Sequence, residues 1–238
     1  MTATWRATQK ANRRTALMES AARLFAERGF AAVSTTELGE AVGMSGPALY
    51  KHFASKDALL AEILVDASER LLAGCRAILA EAGAADRTAE PAQTLERLVR
   101  FHLDFATTDP DVIRIQDREL PSLAPEDNQT VRRLQREYVQ LWDGVLVSLR
   151  PELDDGERQV RLLGTFGLLN STPHSADSAP RRAPGPLDGQ RAGDILAGMA
   201  LRSLAGEGHH HRPGNPAHQT GSASATPAPS PDHHGASA

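Results

Sequence analysis

The chain has 238 residues, 40% of them hydrophobic but only 4% aromatic, with a formal charge of −4 and a single cysteine. That length allows one or two domains and a sizeable core, which must be built mainly from Leu, Ala and Val. It excludes a generally basic nucleic-acid coat and an intramolecular disulfide, and no window nears the ~18 uncharged apolar residues that a membrane helix needs.

Ala and Leu are strong helix formers and alternating Val/Ile/Thr runs are scarce, so the expected fold class is all-α. Charge is uneven along the chain. Residues 1–60 hold eight basic and five acidic side chains, a locally basic head on an acidic body. Such a distribution suits DNA binding through one end. The N-terminus is basic and polar, unlike a secretory signal, so a cytoplasmic location is expected.

In chain order, residues 1–11 read as a flexible basic arm. From Asn12 to Arg28, Ala16, Leu17, Ala21, Leu24 and Phe25 follow helical spacing, and Gly29 stops the helix. Short helices are expected at 36–42 and 47–53. Ser55 can cap the next helix, from Lys56 to about Glu81, whose apolar side carries Leu59, Leu60, Ile63, Leu64, Ala67, Leu71 and Leu72. After a loop at 83–91, helices are predicted over 92–107, 109–120, 125–149, 154–171 and 187–205, with a Pro- and Ser-rich loop at 172–186. The expected domains are a head over 12–55, a helical body over 56–205 and a disordered Gly/Pro/Ser/Ala/His tail over 206–238.

The stretch STTELGEAVGMSGPALYKHFASK, residues 34–56, has the logic of a helix-turn-helix. Leu38, Ala41, Val42, Leu49 and Phe53 supply an inner face. Gly43 sits where the chain must turn with positive φ, and Met44 fills the angle between the helices. Ser45 can cap the second helix and Pro47 fits its first turn. Thr35, Thr36, Ser45, Tyr50, Lys51 and His52 then lie around the helix N-termini, which favour phosphate, and along one flank. The second helix is the natural major-groove reader.

This stretch resembles the TetR/AcrR family of bacterial transcriptional regulators. The resemblance is carried by LFAERGF, STTELGEAVG and LYKHFASKDALL, and it extends over about residues 12–65. It implies that Thr35, Tyr50, His52 and Lys56 grip phosphates, that Thr36, Ser45 and Lys51 face bases or adjoining backbone, and that Pro47 touches a thymine methyl. Two positions depart from the family pattern. Gly46 stands where many members have a longer polar side chain, and Gly39 where Ala is common.

The resemblance also implies a homodimer joined by the last two long helices, and a body that binds a small-molecule effector. Gly164, Gly167 and Gly198 suit close helix approach, either to a second copy or within the chain. Pocket candidates are the polar or aromatic residues on apolar faces: His102, Phe105, Arg118, Tyr138, Trp142, Phe166 and Asn170. Each has an internal alternative. Buried His and Asn side chains can be satisfied by protein or water, and the phenylalanines serve equally as core. Arg114, Arg118, Arg132 and Arg133 are available at a pocket mouth for a phosphorylated head such as that of an acyl-CoA thioester, or for surface salt bridges.

Six of nine histidines lie in the tail without fixed ligand spacing, so no metal site and no cofactor are expected. No P-loop, GxSxG, HExxH or CxxC pair is present, which argues against an enzyme. The expected function is a ligand-responsive repressor on double-stranded operator DNA. The alternative is a helical DNA-architectural or protein-interaction module without a ligand.

Overall fold

The computed structural model describes residues 2–84, 90–172 and 189–206. The expected tail beyond Gly206, and all of the 172–186 loop except Thr172, lie outside them. The described residues form only helices and connecting turns: α1 Thr2–Arg28, α2 Thr35–Glu40, α3 Gly46–Leu49, α4 Lys56–Ala84, α5 Pro91–Thr108, α6 Pro110–Glu119, a 3₁₀ turn Leu120–Ser122, α7 Pro125–Leu149, α8 Asp155–Asn170 and α9 Gly189–Ala205. Proline opens α5, α6 and α7, where its missing N–H costs nothing.

The first 11 residues correct the sequence reading. The chain is helical from Thr2 rather than forming a flexible arm. Ala3, Ala7, Ala11 and Ala16 favour this local extension. Its first buried side chain in the described part is Leu17.

Two hydrophobic cores are stacked along α4. The lower gathers Leu17, Phe25, Leu38, Leu49, Phe53, Leu60 and Leu64 from the head with Phe105, Val112, Ile113 and Ile115 from α5 and α6. The upper gathers Leu72, Leu95, Val99, Tyr138, Trp142, Leu146, Leu162, Leu169 and Leu204. Thus α6 packs into the head's own core, against α1, while α4 runs through both cores. Long helices shared between two cores are the physical means by which a change in one can move the other.

Candidate functional site: a nucleic-acid head and a buried polar cavity

The head is set by local chemistry. Ser34 caps α2, its hydroxyl accepting the Glu37 N–H while Glu37 reaches back to the Ser34 N–H at 2.8 Å. This reciprocal box satisfies helix-end donors that would otherwise have no partner. The Ser34 hydrogen bonds, with Arg28 adding to them, hold the Glu37 carboxyl at about 2 instead of 4.5. The serine-to-glutamate spacing is visible in the sequence and was the missed signal for this cap.

Gly43 takes φ +68, the left-handed conformation expected of the turn. A side chain on Gly39 would press on the Met44 oxygen at 2.7 Å and on the Gly46 nitrogen at 3.0 Å, so glycine there lets α2 and the turn into α3 touch backbone to backbone. Gly46 is buried against Thr35 and Thr36. A Cβ there would meet the Thr36 Cα at 3.3 Å and its Oγ1 at 3.4 Å, so a side chain at this position would press on the start of α2.

The helix expected over 47–53 ends at Leu49. The chain then tightens through Lys51 N–H to Ala48 O and His52 N–H to Leu49 O. Ser45 has the backbone of an N-cap, but its hydroxyl makes no capping bond and stands exposed. Thr36, Pro47, Tyr50 and Lys51 are exposed with it, whereas Thr35 and His52 are half-buried. The His52 carbonyl accepts from Arg14, and its Nδ1 is buried without a hydrogen-bond partner among the described residues. Burial, then the charges of Lys10, Arg14, Arg13 and Lys51, lower its proton affinity, so it stands as a neutral imidazole.

Lys56 departs from the expected outward grip. Its Nζ donates to the Phe30 and Val33 carbonyls at 2.8 and 2.9 Å and lies 4.3 Å from the Phe30 ring centroid. The loop between α1 and α2 ends in carbonyls that need donors, and the ammonium supplies them.

In the body, three helices bring His102, Tyr138 and Asn170 together. Asn170 Oδ1 lies 3.0 Å from His102 Nε2, and the Tyr138 hydroxyl lies 3.1 Å from Nδ1. An amide oxygen only accepts, so Nε2 carries the proton and Nδ1 accepts the tyrosine O–H. Burial lowers the His102 pKa to about 4, partly opposed by the Asn170 bond, and burial raises that of the Tyr138 phenol. The cluster is therefore neutral. Phe166 and Trp142 enclose it, with ring centroids 5.3 and 6.2 Å from His102.

These side chains border a cavity of about 220 Å³, lined by His102, Tyr138, Phe166 and Asn170 together with Ser68 and Gln116. Trp142 backs the wall. A wider groove of about 580 Å³ adjoins it between α7 and α8, and Gln135, Val139 and Leu163 line both spaces. Arg132, Arg136 and Arg158 border the groove. Arg158 is held by Asp143 and Asp155 at 2.8 and 2.7 Å. Ser68 and Gln116 were missed in the sequence. Ser68 carried the same signal as His102, a polar residue on an apolar stripe.

Two expected pocket residues are elsewhere. Phe105 is in the lower core, with the Arg70 guanidinium 5.3 Å from its ring centroid. The C-terminal end of α5 turns into α6 there and follows it into the head. Arg118 Nη2 donates to the Phe25 and Ala26 carbonyls at 2.5 and 3.0 Å, while Glu119 accepts the Phe30 N–H at 3.2 Å. The Phe25 carbonyl already accepts the Gly29 N–H at 2.9 Å, and Arg118 adds a second donor there and one for Ala26 at the end of α1. These bonds pin α6 to the head, two residues beyond Gln116 at the cavity.

Val160, Leu163, Ile195 and Met199 are exposed apolar side chains on α8 and α9. Open space lies over Gly164 and Gly167.

The family model for "Bacterial regulatory proteins, tetR family" matches residues 17–63, and that for "Tetracyclin repressor-like, C-terminal domain" matches 88–174. The chain belongs to the TetR family. Its TetR-type fold pairs an N-terminal helix-turn-helix domain with a C-terminal helical domain, and its relatives are transcriptional regulators, not enzymes. It is 34% identical to the HTH-type transcriptional repressor KstR2 of Rhodococcus jostii over 58% of this chain and 65% of that protein, just under two thirds of the relative's length. A solved structure described as the ketosteroid transcriptional regulator KstR2 of Mycobacterium tuberculosis is 26% identical, with a TM-score of 0.62 over 82% of this chain and 96% of the other. AibR, solved with isovaleryl coenzyme A and operator DNA, is 21% identical with a TM-score of 0.58, covering 79% and 97% of the two chains, and shares the fold. No helix among the described residues is long and apolar enough to cross a membrane.

Proposed function

We propose that this TetR-family protein is a homodimeric repressor of operator DNA, released by a small apolar metabolite bound beside His102. The observation that carries the reading is the helix-turn-helix face, where Thr36, Ser45, Pro47, Tyr50 and Lys51 stand exposed around the entry to α3. Tyr50 and Lys51 hold phosphates, and Thr36, Ser45 and Pro47 face the groove, with Thr35 and neutral His52 adding donors at its edge. A second copy covers Val160, Leu163, Ile195 and Met199, because an exposed apolar cluster on two adjacent helices favours association. The dimer sets two copies of α3 about 34 Å apart in successive major grooves.

The effector enters the cavity with its apolar end against Tyr138, Phe166 and the Trp142 wall. A phosphorylated tail lies in the groove near Arg132 and Arg136, which suits an acyl-CoA thioester. The KstR2 and AibR likenesses agree with a metabolite-responsive regulator. Contacts to Gln116 displace α6 and disturb the bonds from Arg118 and Glu119 to the end of α1, which resets the head. Coupling of this kind is typically about 1–3 kcal/mol and reciprocal.

The test is fluorescence anisotropy on duplexes spanning the DNA beside the protein's own gene, with and without a panel of short-chain acyl-coenzyme A thioesters. Tight, salt-sensitive, sequence-dependent binding that a thioester weakens and coenzyme A does not supports the proposal. Binding that ignores sequence and ligand contradicts it and favours the architectural alternative.

A further inference from the structure

Residues 7–13 of α1 add no buried side chain to the head's core. Residues 7–13 are exposed, and no acidic residue precedes Glu19 in the chain. Lys10 and Arg13 are three residues apart and share a helix face, which Leu17 continues into the core one turn later. That register directs the cationic face along the same side of α1 that packs on the helix-turn-helix. Arg13 borders a small cleft with Ala16, Val42, Gly43 and Met44, placing it beside the turn between α2 and α3. Lys10 and Arg13 both act on His52 through charge, so they also lie near the end of the reading segment.

Not every cation here is available. Arg14 is engaged: its Nε donates to Glu62 at 2.7 Å, its Nη1 binds the His52 carbonyl, and its guanidinium lies 4.2 Å from the Phe53 ring centroid. Lys10, Arg13 and Lys51 are exposed, and among the described residues none makes an ion pair. Uncompensated like charges gathered at one edge repel each other and gain from a polyanion.

We infer that the Lys10–Arg13 face of α1 is a second DNA-contact surface, which takes backbone phosphates flanking the bases read from α3. It rests on the operator-binding dimer proposed above. Contacts of this kind carry no sequence information, so they add affinity equally on operator and non-operator duplex. Each neutralised phosphate contributes about 0.9 to the slope of log affinity against log salt, and two residues in two protomers give about 3.6.

The experiment compares the full-length wild type with a Lys10→Gln/Arg13→Gln variant, and with Arg133→Gln on α7 as a control that removes one exposed cation from the body. Affinities for operator and scrambled duplexes are measured between 50 and 200 mM salt. The expected result is a slope shallower by about 3.6, so that the wild type loses about 150-fold more affinity across that range than the variant. The operator-to-scrambled ratio stays the same, as do the melting temperature and the Arg133→Gln slope. A wild-type slope in the double variant overturns the inference, as does a loss confined to the operator. A wild type that binds neither duplex defeats the operator-binding reading itself, a result distinct from an unchanged slope.

Discussion

In the head, Thr36, Ser45, Pro47, Tyr50 and Lys51 stand in solvent and none of their side chains is committed to the fold. In the body, His102 and Tyr138 are buried and bonded to each other at the wall of the cavity. The first arrangement leaves donors ready for a hydrated, charged partner. The second pairs its polar groups with one another inside the fold. The same chain thus builds one site by exposure and one by enclosure, and the two respond differently to substitution and pH.

The largest expected effect lies in the enclosed site. Trp142 is fully buried against Phe166 at 4.9 Å between ring centroids. Trp142→Ala should lower stability by about 3–5 kcal/mol in urea denaturation, whereas an exposed head substitution such as Lys51→Ala should change it by less than about 0.5 kcal/mol. Equal losses would dissolve the contrast.

The next effect is a pH dependence, to which His102 in the body contributes and His52 in the head adds in the same direction. The folded state holds His102 near 4, below its ordinary 6.5, so the unfolded chain binds the extra proton between those values. Stability should therefore fall as pH drops from about 6.5 to about 4, by up to about 3 kcal/mol from this residue, and level below it. His102→Gln should remove that part of the slope in melts at pH 7, 5.5 and 4.5. An unchanged slope would show that the imidazole is not enclosed as described.

Smaller effects belong to the head. Gly39→Ala forces a side chain against backbone atoms that cannot swing away, and should cost about 1–3 kcal/mol with loss of DNA binding. The Glu37 box acts in a lower pH window. Its stabilisation is complete above the ordinary carboxylate value of 4.5 and is lost as pH falls toward about 2. Glu37→Gln should flatten the melting-temperature decline in that window and leave the His102 window unchanged.

The head was largely legible in the sequence because its logic is local. A turn glycine, a helix start and an inner apolar face are all encoded within about 20 consecutive residues. What escaped is where each long side chain finds partners. Lys56 reads as a phosphate-binding cation until the loop carbonyls of Phe30 and Val33 are seen beside it. Arg118 reads as a pocket-mouth residue until α6 is seen docked on the end of α1. In the body, periodicity marked His102, Tyr138 and Asn170 separately as polar groups on apolar faces. Their meeting depends on how α5, α7 and α8 pack. Phe105 shares the His102 stripe, but α5 ends in the other core, and spacing alone gives no sign of where one core stops.

The most direct test sets the two sites side by side on one operator duplex, measuring dissociation constants for the wild type, Tyr50→Phe/Lys51→Ala and Tyr138→Phe/Asn170→Ala. The account predicts a loss of about tenfold or more for the head variant, since two phosphate contacts per protomer disappear. It predicts wild-type affinity for the cavity variant, with release by an effective acyl-coenzyme A thioester abolished. Wild-type affinity in the head variant, or undiminished release in the cavity variant, would contradict it.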